Sequence, residues 1–132
     1  MTSGDSRPQV VVSVAEHHAN IVPWQMICQA TGATLRHVQL TASQEVDIDD
    51  LAQKVSGKTK LVALVHVSNM LGAVLPVHKV AEIARGVGAK LLLDCCQSVP
   101  HMPVDVQVWP LSPPSASRSF SRESTSSTTR LR

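Results

Sequence analysis

Three clusters of polar residues in this chain have the types and spacing to do chemistry. They are Glu16–His17–His18–Ala19–Asn20, then Val65–His66–Val67–Ser68–Asn69, then Asp94–Cys95–Cys96–Gln97–Ser98. The last two each end a short apolar run, Leu61–Val65 and Leu91–Leu93. A buried parallel strand delivers side chains to a site at its C-terminal end in this way. Asp94, leaving an apolar strand, must find a partner for its charge or shift its pKa. A protonated ring nitrogen of a cofactor would be such a partner, and a helix cap or an ordinary loop carboxylate is the plainer alternative. Gln97 follows in the same loop as an amide able to donate and accept, or as a simple loop residue. Asn69 is a second amide at a strand end, and Asn69-x-x-Gly72 is also ordinary turn chemistry. His17 offers an imidazole, a group that suits proton transfer, although a His17–His18 pair also fits a polar helix N-terminus.

Other chemistries find less support. The six histidines include no H-E-x-x-H or other recognised ligand spacing. Cys28, Cys95 and Cys96 form no C-x-x-C, and an odd number of cysteines in a chain of non-secretory character reads as reduced thiols. Cys95–Cys96 stands at a strand end, away from a helix N-terminus or a clear cation that would activate a thiol. No glycine-rich phosphate loop occurs.

Alternating strands and helices must position these clusters. Val10–Val14 is a β-branched strand. A helix over roughly Ala19–Thr31 follows, with Pro23 in its first turn, Trp24, Ile27 and Thr31 on one face, and Gly32 as its stop. Thr34–Leu40 is a weaker strand. Asp47 caps a helix over Ile48–Ser56 whose stripe is Ile48, Leu51, Ala52 and Val55. Leu61–His66 and Lys90–Asp94 read as buried strands. Between them Pro76 opens a helix with the stripe Val77, Val80, Ala81, Ala84 and Val87, ended by Gly88. The order implies a parallel sheet flanked by helices.

Of the 132 residues, 43% are hydrophobic and only 2% aromatic, so a core must be built from Val, Leu, Ile and Ala. The formal charge of +2 is concentrated in residues 108–132, where Arg118, Arg122, Arg130 and Arg132 face only Glu123. The body offers no basic face for nucleic acid. No apolar run approaches the roughly 20 residues that span a bilayer, and no targeting segment is visible at the N-terminus. A soluble intracellular protein is expected.

The clusters His17–Trp24, His66–Gly72, Asp94–Gln97 and Val104–Gln107, in this order, resemble the Suf-type (group II, NifS-like) cysteine desulfurases of the class V aminotransferase family. The resemblance runs from about Val10 to Gln107. It implies an α/β fold that is a fragment of the large domain of a fold-type I PLP-dependent transferase, mainly a parallel sheet with flanking helices. It implies pyridoxal 5'-phosphate as cofactor. His17 would stack on the pyridine face and assist proton transfer, and Asp94 would pair with the protonated ring nitrogen. Gln97 would bond the phenolic oxygen, and Asn69 the same oxygen and the substrate carboxylate. The parent activity takes L-cysteine to L-alanine and an enzyme persulfide, supplying sulfur for iron–sulfur cluster assembly. The parent family is homodimeric, works with a sulfur-acceptor protein, and is found in cytoplasm or plastid.

The chain departs from the family after Gln107. The family continues through a buried strand to a Ser-x-His-Lys motif whose lysine binds the cofactor covalently. Here Val108–Trp109–Pro110–Leu111–Ser112–Pro113–Pro114 follows, and none of Lys54, Lys58, Lys60, Lys79 or Lys90 takes that position. The family's catalytic cysteine lies further on. The expected organisation is a poorly ordered leader over 1–9, a partial large domain over 10–107, and a disordered Ser/Pro/Arg-rich tail over 108–132 derived from a frameshift or intron. The expected activity of such a piece alone is none. The alternatives are a fragment of another class V enzyme such as a selenocysteine lyase, or a noncatalytic α/β interaction module.

Overall fold

The computed structural model describes residues 6–105. The expected tail over 108–132 and the first five residues of the expected leader lie outside them. The rest of the leader is partly built into the sheet, for Gln9 opens the first strand and the Pro8 carbonyl accepts from Thr34 N–H at 2.8 Å.

The strands are β1 (Gln9–Ser13), β2 (Thr34–Val38), β3 (Thr59–Val65) and β4 (Lys90–Asp94). All pair in parallel, in the order β2-β1-β3-β4. The helices are α1 (Val22–Thr31), α2 (Ile48–Lys54) and α3 (Val77–Gly86). Because strand side chains alternate, the sheet has two apolar faces. Val11, Val38, Val62 and Leu64 meet Leu51 of α2 and Val77, Val80 and Ala84 of α3 on one side. Val10, Val12 and Ala63 meet Cys28 and Trp24 of α1 on the other. The result is three layers, with β1 buried along its whole length.

Local signals explain the helix ends. Asp47 accepts from the N–H groups of Asp49 and Asp50, both at 3.0 Å, and so caps α2. Gly32 follows α1 with φ +73°, a left-handed position that glycine takes at little cost. The α3 stripe is as its periodicity requires, with Val77, Val80, Ala81 and Ala84 buried.

Four expectations need correction. The helix expected from Ala19 starts at Val22, and His18–Asn20 forms a separate 3-10 turn. His17 caps that turn, and Pro23 sits in the first turn of α1, as expected. The inward face of α1 is Trp24 and Cys28 (i, i+4), whereas Ile27 is 47% exposed and Thr31 lies in solvent. In α2, which ends at Lys54, Ala52 is exposed and Leu51 and Val55 carry the burial. Finally, β4 is not a buried strand but an edge, with Lys90 and Leu92 exposed. Its composition is that of a strand covered on both sides, but among the described residues only β3 pairs with it. No helix of the described residues is long and apolar enough to cross a membrane.

Candidate functional site

The chain runs from β1 to β2 on one side, then returns to place β3 on the other side of β1. A reversal of this kind opens a crevice at the C-terminal ends of the two central strands. Glu16 and His17 leave β1 there, Asn69 follows β3, Asp94 ends β4, and Cys96 and Gln97 follow it. His17, Asn69, Asp94 and Gln97, with Ala19, Val65 and Cys96, line one cavity of about 280 Å³. All four residues singled out in the sequence are therefore brought together, although they are separated by up to three crossovers in the chain.

A buried polar relay holds the β1 side in place. Ser13 Oγ donates to Glu16 Oε1 at 2.6 Å, Asn20 Nδ2 donates to Glu16 Oε2 at 2.7 Å, and Trp24 Nε1 donates to Asn20 Oδ1 at 3.0 Å. Ser13, Glu16 and Asn20 are all buried. The Val65 backbone adds a further hydrogen bond to the carboxylate, tying this turn to the end of β3. Burial pushes the Glu16 pKa above its ordinary value of 4.5, and these hydrogen bonds only partly oppose it. The relay fixes the turn that carries His17. His17 Nδ1 accepts from Ala19 N–H at 3.2 Å, so the neutral imidazole carries its proton on Nε2.

Asn69 sits on a tight loop. Ser68 N–H donates to the Ala73 carbonyl, Gly72 N–H donates to the Ser68 carbonyl at 2.9 Å, and Ser68 Oγ accepts from Leu71 N–H. Gly72 has φ +67°, which the turn requires. The turn reading of Asn-x-x-Gly is thus correct, and the same turn presents Asn69 to the cavity. The loop after β4 closes on itself as well. Asp94 Oδ1 accepts from Cys96 N–H at 3.0 Å, and buried Ser98 donates both N–H and Oγ–H to the Cys95 carbonyl.

Cys96 and Cys28 are poorly placed for nucleophilic work. The Asp94 carboxylate accepts a hydrogen bond from the Cys96 thiol and repels its thiolate, holding its pKa above the usual value; burial does the same to Cys28. Burial pushes the His66 pKa down and favours the neutral ring. Sequence reasoning gave no role to the Ser13–Glu16–Asn20–Trp24 relay. The signal that could have found it was a carboxylate and an amide at i, i+4 directly after an apolar strand.

The raised Glu16 pKa has a measurable sign. The folded chain holds this proton more tightly than the unfolded chain. The group therefore favours folding fully below about pH 4.5, and that contribution is lost as pH rises through the higher folded value. Glu16→Gln removes the titration. Urea denaturation of the two proteins as a function of pH should show the variant gaining on the parent from about pH 4.5 upward. A difference that stays flat with pH would refute the assignment.

The family model for "Aminotransferase class-V" matches residues 3–111. A probable cysteine desulfurase of Synechocystis sp. is 48% identical over 100 residues, covering 76% of this chain and 24% of its own length. The crystal structure of the cysteine desulfurase CsdA from Escherichia coli superposes with a TM-score of 0.77 at 34% identity, covering 80% of this chain and 26% of that one. A cystine C–S lyase, C-DES, solved with its product cysteine persulfide, superposes with a TM-score of 0.71 at 26% identity, over 80% of this chain and 29% of that one. The chain thus spans about a quarter of the length of the curated relatives it matches. The shared α/β architecture is that of the large domain of fold-type I PLP-dependent transferases. With most of its length taken in by the family model and its parallel sheet superposing on these enzymes, the chain belongs to the class-V aminotransferase family.

Proposed function

We propose that the cavity holds the ring of pyridoxal 5'-phosphate, and that the chain is the corresponding part of a Suf-type cysteine desulfurase, acting on L-cysteine in the service of iron–sulfur cluster assembly. The observation that carries this reading is the convergence of His17, Asn69, Asp94 and Gln97 on one cavity at the strand ends. The donor set fits the ring end of the cofactor. A carboxylate faces the same space as two amides, which suits a protonated ring nitrogen and a phenolic oxygen. The volume lies near the lower end of the roughly 300–1,000 Å³ of small-molecule sites. When bound, the cofactor supplies an electron sink. Asp94 would hold the proton on its ring nitrogen, Gln97 and Asn69 would orient it through the phenolic oxygen, and His17 would move a proton at Nε2.

No lysine is among the described residues that line the cavity, and Cys96, the thiol that does line it, is kept protonated by Asp94. The chain by itself therefore binds the cofactor reversibly and does not convert cysteine. Residues 10–107 act as the partial large domain, and the homodimer and the sulfur-acceptor protein belong to the longer enzyme. The cofactor should bind weakly and be removed by dialysis. Asp94→Ala should weaken that binding about tenfold or more, because the ring nitrogen loses its charged partner. Absorbance titration checks this, followed by borohydride reduction and peptide mapping. A single stoichiometric lysine adduct, or enzyme-dependent alanine above the free-cofactor background, would overturn it. A noncatalytic α/β module is the second reading, favoured by the edge of β4 that no strand of the described residues covers.

A further inference from the structure

Two thiols stand side by side where β4 gives way to its loop. Cys95 and Cys96 are both free, Cys95 half-buried and Cys96 exposed. Consecutive side chains of a strand point to opposite faces, which would keep such a pair apart. Here the strand has ended at Asp94, and both cysteines line the same groove of about 710 Å³. After the hydrogen bond and charge of Asp94, the charge of Cys95 also helps to hold the Cys96 pKa up, so the two sulfurs lie within electrostatic reach. The backbone beneath them is tied down. The Cys95 carbonyl accepts from Ser98 N–H at 3.1 Å, Val99 N–H at 3.0 Å and Ser98 Oγ at 3.2 Å. Asp94 Oδ1 holds the Cys96 N–H.

We propose that Cys95 and Cys96 form a dithiol site for a trivalent arsenic centre that carries one apolar substituent. Sulfur ligands select soft centres. Among the described residues no group of three or more His, Cys, Asp and Glu could complete the shell of a metal ion. A centre satisfied by two sulfurs and its own carbon substituent is the one that fits. Pyramidal arsenic also keeps its two sulfurs close together, as adjacent residues require, whereas a linear two-coordinate cation needs them well apart. The substituent lies against Trp24, Leu92, Val99 and Pro100 of the groove and gains by leaving water. With an arsenoxide, two S–H bonds and the As=O bond break and two As–S bonds form. Both protons leave with the oxygen as one water, and arsenic stays trivalent. The thiols give up their protons in that same step, so no activated thiolate is needed. Cys96 also lines the 280 Å³ cavity, so the bound arsenic stands where groove and cavity meet.

Phenylarsine oxide added to the reduced full chain tests the proposal by intact mass and thiol titration. One phenylarsenic group per chain is expected, leaving one titratable thiol of the three. Peptide mapping should place it on Cys95–Cys96, and a small dithiol should release it where a monothiol does not. Cys95→Ser and Cys96→Ser should each weaken binding about a hundredfold or more, because the second sulfur adds its bond intramolecularly. Cys28→Ala should leave affinity unchanged. In that variant, unfolding by urea should weaken binding about tenfold, since the tied-down loop no longer preorganises the pair. No adduct, or one that bridges two chains, overturns the proposal. So does an affinity indifferent to either serine variant, or equal in the folded and unfolded chain.

Discussion

Leu64→Ala is expected to lower the stability of this chain by about 3 kcal/mol, within the roughly 2–5 kcal/mol range of buried leucine truncations. Leu64 is fully buried in β3, between the strand cores and the face covered by α2 and α3. The loss has two parts, the transfer of the removed methyl groups and the cavity left where strands and helices cannot collapse inward. A domain of this size holds on the order of 5–15 kcal/mol in total, so the variant should lose a large share of its folded population on mild heating. Urea midpoints by circular dichroism measure the effect. Ile27→Ala is the control. Ile27 was expected on the inward face of its helix but is 47% exposed, so its truncation should cost under about 1 kcal/mol. Equal losses at the two positions would contradict the layer assignment.

Glu16→Ala should be the most damaging change at the site, at about 2–4 kcal/mol. It leaves Ser13 Oγ and Asn20 Nδ2 buried without the acceptor they now share, and each stranded buried donor costs roughly 1–3 kcal/mol. The 3-10 turn that carries His17 loses its attachment to the ends of β1 and β3, so cofactor binding should fall together with stability. Glu16→Gln should cost much less. The carbonyl of the introduced amide accepts from Asn20, while its NH2 group donates to a reoriented Ser13 hydroxyl. Asn20→Ala should be strongly sub-additive with Glu16→Ala, because both remove the same bond. Denaturation of the two single variants and the double variant measures this coupling. Additive losses would show that the relay does not act as a unit.

The sequence by itself determined the elements and the ends from which chemistry is presented. A β-branched run at Val10–Val12, the i, i+3, i+4, i+7 stripe of α3, the Asp47 cap and the Gly32 and Gly88 stops are all local signals. Local hydrogen bonding and side-chain period enforce them wherever the segment is placed. The strand-end clusters were legible for the same reason, since polarity switches abruptly where an apolar strand leaves the core. The tertiary structure alone decided which surfaces are covered. Nothing in Trp24–Thr31 distinguishes Cys28 from Ile27 as the inward residue until the sheet fixes the rotation of α1. Nothing in Leu91–Leu93 tells a central strand from an edge, because burial of a strand is set by neighbours distant in sequence. The convergence of His17, Asn69, Asp94 and Gln97 on one cavity, and the Glu16 relay that steadies it, likewise required strand order. Neither parallel pairing nor the reversal between β1 and β3 is encoded in any local window.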